Sequence, residues 1–343
     1  MPHHIGARSQ RPCRRDLRRG ILPVGGRSAR WVRRLVPVAL LAVAAYFLAV
    51  PILAFTKVSR VDADPGGERP PEQPGTTYLL VGTDSRAGLT ATERRLLHTG
   101  GGTGSRADTI MLLHTGKGPN LLLSIPRASV VDVPGHGRSM VNSAYEYGGP
   151  ELLVETIEKA TGIRVDHFVQ IGFRGVVGLV DAVGGVTICP PVAMNDESAG
   201  LHVQPGCQTA DGRRALAYAR SRHAQQGDDL DRAVHQRELV AAVGAQVLAW
   251  RTFLDPLRYW DVMRGGAASV ALDDRMGPLA LARLASALRH APSGQTCGVP
   301  ITDAAVQSVH WDPDRAERMF DLIREDRTDE IDAALCQPSG LPG

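Results

Sequence analysis

The feature that most constrains this chain is an uncharged apolar run from Leu35 to Phe55. A helix needs roughly 20 predominantly apolar residues to cross a bilayer, and this run reaches that length. Arg33 and Arg34 precede it, and basic flanks stay on the cytoplasmic side. A cleaved signal peptide is the alternative, but no small-residue cleavage site follows closely. We therefore predict a retained single-pass anchor in the plasma membrane, with a cytoplasmic N-terminus and an extracellular C-terminal domain.

The charge distribution along the chain is uneven. The formal net charge is +3, but residues 1–34 hold ten arginines and one acid, Asp16, so the remainder carries about −6. This balance excludes a generally basic nucleic-acid-binding domain outside the tail. Residues 1–34 show no apolar period, which predicts a disordered basic cytoplasmic tail.

The remaining chain divides by composition. Residues 56–76 are rich in Pro, Gly and charge and predict a semi-rigid spacer. Residues 77–250 alternate short apolar runs with segments of helical period. This alternation predicts an α/β fold, a single extracytoplasmic domain with a central, mainly mixed β-sheet flanked by helices. Residues 251–343 read as a C-terminal helical extension packed on that domain.

Three apolar runs near the start of this domain predict buried strands. Polar side chains stand at the strand ends. Carboxylates suit a hard cation such as Mg²⁺, and guanidiniums bind phosphate oxygens in pairs of hydrogen bonds. Salt bridges at a loop edge are the alternative interpretation. The strands are Tyr78–Val81, Ile110–Leu113 and Leu121–Ile125, and the polar residues are Asp84, Arg86, Arg106, Asp108 and Arg127.

A second polar cluster follows a predicted short helix. Arg220 and Arg222 are two residues apart, so they project to one side of an extended segment. Asp229 and Arg232 open the next helix, where Asp229 would also serve as an N-terminal cap. A solvated helix face is the alternative for Arg222 and Arg232.

Four cysteines lie on the predicted outer side: Cys189, Cys207, Cys297 and Cys336. Four cysteines permit three disulfide pairings. We favour Cys189–Cys207, which closes a local loop, together with Cys297–Cys336, which ties down the C-terminus. A zinc site is the alternative, but no CxxC motif or nearby histidine pair supports it.

The chain from about Tyr78 to Arg237 resembles the LytR–CpsA–Psr family of cell-envelope proteins. The resemblance rests on LLVGTDSR, RADTIMLLH, LSIPR, VNSAYEYGG, LVDAVGGVTI, DGRRALAYARSRH and DLDR. Each motif is weak alone, and together they are specific. The short basic tail and single span also match the family's topology.

This resemblance implies an α/β fold with an apolar pocket for a polyprenyl chain. It implies a Mg²⁺-dependent phosphotransferase, with Mn²⁺ as an alternative ion, that moves a glycopolymer from a polyprenyl-diphosphate carrier to peptidoglycan at the membrane. By resemblance, Asp84 and Asp108 hold the metal. The implied catalytic residues are Arg86, Arg106, Arg127, Arg220, Arg222, Asp229 and Arg232. The implied substrate-binding residues are Arg86, Arg106, Arg127, Arg138, Asn142, Arg220 and Arg222.

Two other functions remain open at this level. Water could replace the wall acceptor, which would make the protein a polyprenyl-diphosphate pyrophosphatase. The chain could also be a non-catalytic envelope regulator that binds lipid phosphates. Magnesium-dependent turnover of a polyprenyl diphosphate excludes the regulator, and joined product with peptidoglycan fragments separates transferase from pyrophosphatase.

Overall fold

The computed structural model of the protein describes residues 28–342 except 86–88, 100–104, 222–227, 291–294 and 306–307. For residues 28–33, 228–231, 233 and 303–305 it describes the backbone only. The chain forms two compact units, which divide after Ala49.

The first helix confirms the predicted apolar span. Helix α1 covers Ser28–Phe55, and its segment Arg34–Phe55 has the length and composition to cross a membrane. Residues 28–34 were expected to belong to the disordered tail, but they are helical. Helix α1 therefore starts before the uncharged run, inside the basic flank.

The second unit alternates strands and helices. Its strands are β1 (Ser59–Val61), β2 (Thr76–Thr83), β3 (Ala107–Thr115), β4 (Leu121–Ile125), β5 (Val130–Val133), β6 (Gly137–Met140), β7 (His167–Ile171), β8 (Val186–Ile188), β9 (Met194–Asp196), β10 (Leu201–Val203), β11 (Gln208–Ala210), β12 (Val270–Asp273), β13 (Gln295–Gly298), β14 (Ile301–Ala305) and β15 (Ser308–Trp311). Its helices are α2 (Ala91–Leu96), α3 (Val141–Thr161), α4 (Phe173–Ala182), α5 (Gly212–Arg220), α6 (Asp228–Val247), α7 (Trp250–Leu254), α8 (Pro256–Ser269), α9 (Pro278–His290) and α10 (Pro313–Arg324).

A seven-stranded mixed sheet forms the centre, in the order β1-β12-β7-β2-β3-β4-β13. Strands β2, β3 and β4 are antiparallel neighbours, whereas β7 pairs with β2 in parallel. The three apolar runs predicted as strands are confirmed as β2, β3 and β4, and the expected mixed sheet with flanking helices is present.

The side chains of β2 and β3 alternate between two apolar layers, as the strand period requires. Leu79 and Ile110 pack in one cluster with residues of α3 and α10. Tyr78 and Met111 pack in another with residues of α8 and α9. Both faces of the sheet are therefore buried, which explains why these strands are continuously apolar in sequence.

The C-terminal segment differs from the helical extension expected over residues 251–343. Strand β13 pairs with β4, and β12 pairs with β7, so this segment completes the sheet on both sides. Without them, β4 and β7 would be edge strands with unpaired backbone groups next to apolar side chains. The sheet thus extends beyond the predicted domain 77–250.

The predicted spacer over residues 56–76 also belongs to the folded unit. Strand β1 pairs in parallel with β12. Arg69 donates to both carboxylate oxygens of Glu158 on α3, with the shortest contact at 2.6 Å, and to the Val165 carbonyl. The Glu158 side chain is 3% exposed and that of Arg69 is 10% exposed. This buried ion pair fixes the segment against the domain.

Both predicted disulfides are present, Cys189–Cys207 and Cys297–Cys336. The first closes the expected local loop, and this segment holds the hairpin β9–β10. The second joins β13 to the C-terminal residues. The chain end is therefore tied to the outermost strand of the sheet.

A buried polar chain crosses the edge of the sheet formed by the start of β2 and the end of β3. Thr77 Oγ1 lies 2.9 Å from His114 Nδ1, and His114 Nε2 lies 3.3 Å from Asp326 Oδ1. Burial lowers the pKa of His114 below its ordinary 6.5, although Asp326 acts in the opposite direction. The folded protein therefore holds this imidazole neutral.

Replacing Arg69 by Met should lower the free energy of unfolding by about 3–5 kcal/mol, because it leaves the Glu158 carboxylate buried without a cation. The matched control is Lys159→Met, which removes the exposed pair between Lys159 and Asp132. That change should cost about 0–1 kcal/mol. Urea unfolding of the full chain measures the free energy of unfolding of both variants. Equal losses in the two variants would contradict the stabilising role of the buried pair between Arg69 and Glu158.

The free energy of unfolding should decrease as pH falls below 6.5. A depressed pKa in the folded state means that the unfolded chain binds the proton more readily, so His114 stabilises the fold above that pH and this stabilisation is lost below it. Urea unfolding at about pH 7.5 and about pH 5.5 tests this for the wild type, His114→Gln and the exposed-residue control His202→Gln. Of the two substitutions, only His114→Gln should reduce the loss in free energy of unfolding between the higher and the lower pH. A loss in His114→Gln equal to that of the wild type would refute the prediction.

Candidate functional site

One edge of the central sheet gathers the polar residues predicted from sequence. Strands β2, β4 and β7 end there, and β3 and β12 begin there. We call this the site edge. The segments that continue from it are the α2 region after β2, the β5–β6 hairpin after β4 and α4 after β7.

At the site edge, the backbone hydrogen bonds between β2 and β3 are followed by a hydrogen bond from a backbone N–H to a side-chain carboxylate. The Asp84 N–H donates to the Arg106 carbonyl at 3.1 Å, and the Arg106 N–H donates to Asp84 Oδ1 at 2.6 Å. The register shifts between Gly82 and Thr83, just before this point. The irregularity and the reciprocal bonds hold the Asp84 carboxylate at the end of the strand pair.

Two arginines at the site edge are paired with acids. Arg127 Nη1 lies 2.9 Å from Asp108 Oδ1. Arg106 Nε lies 2.8 Å from Glu146 Oε2, and both of these side chains are exposed. The salt bridges considered as the alternative to a ligand site are therefore present in the structure. They are partly or largely solvent-accessible, so each contributes little to stability.

Helix α3 starts at the same edge. Val141 N donates to the Ser129 carbonyl at 2.8 Å, and Asn142 N donates to the Arg127 carbonyl at 3.3 Å. Asn142 is buried, and its Oδ1 has no hydrogen-bond partner among the described residues. An amide oxygen that is buried and unpaired next to Arg127 is available to a ligand.

Sequence reasoning missed Tyr145 and Glu146, which lie three and four positions after Asn142 and so share its helix face. The Tyr145 hydroxyl donates to Gln170 Oε1 on β7 at 2.7 Å. Burial raises the pKa of Tyr145, and the negative charge of Asp84 adds to this while the bond with Gln170 opposes it. The spacing in VNSAYEYGG was the signal that could have identified both residues.

A cavity of about 330 Å³ opens beside these groups, between α4 and α8. Its wall combines polar side chains with small residues, so backbone lies close to the space. The lining residues are Ser85, Gln170, Gly172, Arg174, Gly175, Gly178, Gly265, Ala268 and Ser269.

Arg220, the last residue of α5, contacts the protein itself. Its guanidinium donates to the carbonyls of Leu97 at 2.8 Å and His98 at 3.2 Å, and lies 4.9 Å from the centre of the Phe173 ring. These contacts hold the end of α2 against the start of α4. The structure therefore gives Arg220 a positioning role beside the site edge.

The other predicted site residues are distributed as follows. Arg232 is buried on α6. Arg138 is exposed on β6, opposite Asp132 on β5, and forms no ion pair with another described residue. Arg86, Arg222 and the side chain of Asp229 lie outside the described residues.

The described residues contain no group of three or more His, Cys, Asp or Glu side chains arranged to hold a metal. Mg²⁺ is commonly held by only one or two carboxylates together with substrate phosphates. The hydrogen bonds of Asp84 and Asp108 described above use only Oδ1 of each carboxylate. Carboxylate oxygens and amide oxygens are of the chemical type that Mg²⁺ binds.

Sequence comparison relates the chain to cell-wall proteins. The LytR_cpsA_psr family model matches residues 56–307. LcpB of Corynebacterium glutamicum, a probable cell wall biosynthesis protein, is 43% identical over 281 residues, covering 80% of this chain and 67% of LcpB. TagU of Oceanobacillus iheyensis, a polyisoprenyl-teichoic acid–peptidoglycan teichoic acid transferase, is 31% identical over 179 residues, covering 50% of this chain and 51% of TagU.

Solved structures share the fold. The LytR-Csp2A-Psr enzyme from Actinomyces oris superposes with a TM-score of 0.63 at 22% identity, covering 78% of this chain and 96% of that structure. Bacillus subtilis TagT superposes with a TM-score of 0.55 at 21% identity, covering 78% and 99%. At these identities the match establishes the fold alone.

Replacing Arg220 by Lys should loosen the end of α2, because a single ammonium group cannot reproduce the planar fork that reaches two carbonyls and stacks on Phe173. Hydrogen–deuterium exchange of the segment 89–99 should become faster. The control is Arg213→Lys on the exposed surface of α5, which should leave exchange unchanged. Unchanged exchange in Arg220→Lys would refute the positioning role.

Proposed function

This chain belongs to the LytR–CpsA–Psr family, and on that premise we propose that it transfers a glycopolymer from a polyprenyl-diphosphate carrier to peptidoglycan. The name of TagU, a polyisoprenyl-teichoic acid–peptidoglycan teichoic acid transferase, describes a transfer of this kind. The observation that carries the proposal is the placement of Asp84, Asp108, Arg106 and Arg127 at one edge of the sheet. We place the reaction at the outer face of the plasma membrane, where α1 would anchor the enzyme.

The paired arginines suit a diphosphate. A guanidinium binds phosphate oxygens through two parallel hydrogen bonds, and these charge-assisted bonds are stronger than neutral ones. Because Arg106 and Arg127 pair with partly exposed acids, a diphosphate can take over the guanidinium N–H groups at a small cost. The carboxylates of Asp108 and Glu146 then keep the side chains aimed at the site edge before the substrate binds.

The carboxylates suit a divalent cation. Asp84 and Asp108 would hold Mg²⁺, with Mn²⁺ as the alternative, and the buried Asn142 Oδ1 is a further oxygen of the right chemistry. When bound, the ion would neutralise negative charge on the diphosphate and so favour departure of the polyprenyl phosphate. The backbone N–H of Arg106 fixes one oxygen of Asp84 and leaves the other available.

In the transfer, an acceptor hydroxyl oxygen of the wall forms a bond to the phosphorus that carries the glycopolymer. The bond from that phosphorus to the polyprenyl phosphate breaks, the leaving phosphate takes the electron pair, and the hydroxyl proton passes to that phosphate or to water. Arg106 and Arg127 are positioned to stabilise the charge that develops on these oxygens. Catalysis of this kind depends mainly on positioning and charge stabilisation.

Asp84→Asn and Asp108→Asn should each lower turnover of a short-chain polyprenyl-diphosphate glycan by about 100-fold or more, because a neutral amide weakens a cation site. The melting temperature should change little, since neither change creates a cavity. The matched control is Asp329→Asn, which alters an exposed carboxylate beside the turn between β3 and β4, at the edge of the sheet opposite to the site edge. Near-normal turnover with intact folding would refute the metal assignment.

The products of the wild-type reaction decide between the possible acceptors. With peptidoglycan fragments present we expect the glycopolymer to become covalently joined to them, and with EDTA we expect turnover to stop and to return on adding Mg²⁺. Hydrolysis without joined product would make the protein a pyrophosphatase. Binding of the lipid diphosphate without any turnover would make it a non-catalytic regulator.

A further inference from the structure

Helices α7 and α8 present an apolar surface to solvent, which we call the outer apolar face. Five large apolar side chains within this short segment are 41–77% exposed. They recur at intervals of three or four residues across the two helices, so the exposed side has the periodicity of a binding face. The five are Trp250, Phe253, Leu254, Leu257 and Trp260.

None of these five side chains belongs to the buried apolar clusters among the described residues. The opposite side of the same helices supplies the buried contacts, from Thr252 on α7 and from Tyr259 and Val262 on α8. Both helices are therefore packed while their large apolar residues remain outside. Clustered exposure of this kind marks an interaction surface in folded proteins.

The topology places the end of α8, the helix that carries part of this surface at its start, near the end of the apolar helix α1. Strand β12 follows α8 directly, and its first residue, Val270, pairs with Ile171 at the site edge. Strand β1 runs parallel to β12 and begins at Ser59, shortly after α1 ends at Phe55. Helices α1 and α8 are therefore both followed by strands that begin at the same edge of the sheet.

Packing agrees with this arrangement. Ala54 and Phe55 at the end of α1 pack against the apolar cluster to which α8 contributes Ala267. Helix α8 has 14 residues, which corresponds to a length of about 20 Å. The outer apolar face lies at the start of α8, and the end of α1 lies near the end of α8. The two are thus about one helix length apart.

We propose that the outer apolar face rests in the interfacial layer of the bilayer that α1 crosses. Tryptophan is enriched at this layer because its ring is amphipathic, and Arg251 stacks on Trp250 with 5.7 Å between the guanidinium and the ring centre. The segment carries both arginines and aspartates in near balance. Insertion is therefore driven by apolar burial, and its dependence on anionic lipid and on salt is small.

This contact is independent of the transferase activity. Helix α8 also lines the cavity beside the site edge through Ala268 and Ser269. Contact of its other end with the bilayer would therefore fix the orientation of the site edge relative to the membrane. A domain held by α1 alone could tilt about one attachment, whereas a second contact restricts the tilt.

The test uses the full chain reconstituted in phosphatidylcholine vesicles, with an environment-sensitive NBD label on a single introduced cysteine in a Cys13→Ser background. The label is placed at Leu257→Cys. The control is Asp314→Cys, an exposed position at the start of α10, which packs on the opposite face of the sheet from α8. The label at 257 should show blue-shifted emission and should be quenched by a nitroxide carried on lipid, whereas the label at 314 should show neither.

A second variant separates lipid contact from labelling artefacts. With the label at Leu254→Cys, the double substitution Leu257→Glu and Trp260→Glu should abolish the quenching while the melting temperature stays near the wild-type value. Raising the salt concentration should leave the quenching in the unmodified face unchanged. Quenching at 257 no stronger than at 314 would overturn the proposal. A blue shift without quenching by lipid would also overturn it, because a protein would then cover the face.

Discussion

The register of β2, β3 and β4 is the constraint on which the site depends. Pairing of Ile110 with both Val81 and Ile125 buries all three strands, and it simultaneously brings Asp84 to Arg106 and Asp108 to Arg127. A slip of one residue would turn every apolar side chain of a strand to the opposite face. The packing of the core therefore fixes the positions of the polar groups at the strand ends.

Pairing between opposite charges keeps the site edge organised without a ligand. Two guanidiniums would repel each other at this edge, but Asp108 and Glu146 neutralise Arg127 and Arg106. Arg220, at the end of α5, is held by carbonyl oxygens and an aromatic ring. The salt-bridge interpretation and the phosphate-site interpretation are thus compatible. The acids hold the arginines in place, and their partial exposure leaves the guanidiniums available for exchange.

The segments outside the recognisable motifs join the fold through the sheet edges. Strand β13 covers β4, and strands β12 and β1 continue the sheet beyond β7. The buried pair of Arg69 and Glu158 then fixes the segment that follows α1. The segment that follows α1 thus begins its strand β1 at the same sheet edge that carries the predicted phosphate-binding groups.

The sequence alone determined the apolar helix, the α/β class, the three central strands and the family, because each depends on local pattern, length or motif. It favoured the two disulfides among three possible pairings, and the structure confirmed them. It also indicated Asp84, Arg106, Asp108 and Arg127 as one cluster. Tertiary structure decided how β1, β12 and β13 complete the sheet, since short strands owe their state to partners distant in sequence. It alone showed Tyr145 and Glu146 at the site, Arg220 on the carbonyls of α2 and the exposed Trp and Leu side chains of α7 and α8. Those outcomes depend on which face of a helix packs against another element. The spacing of apolar residues in the sequence does not specify that face.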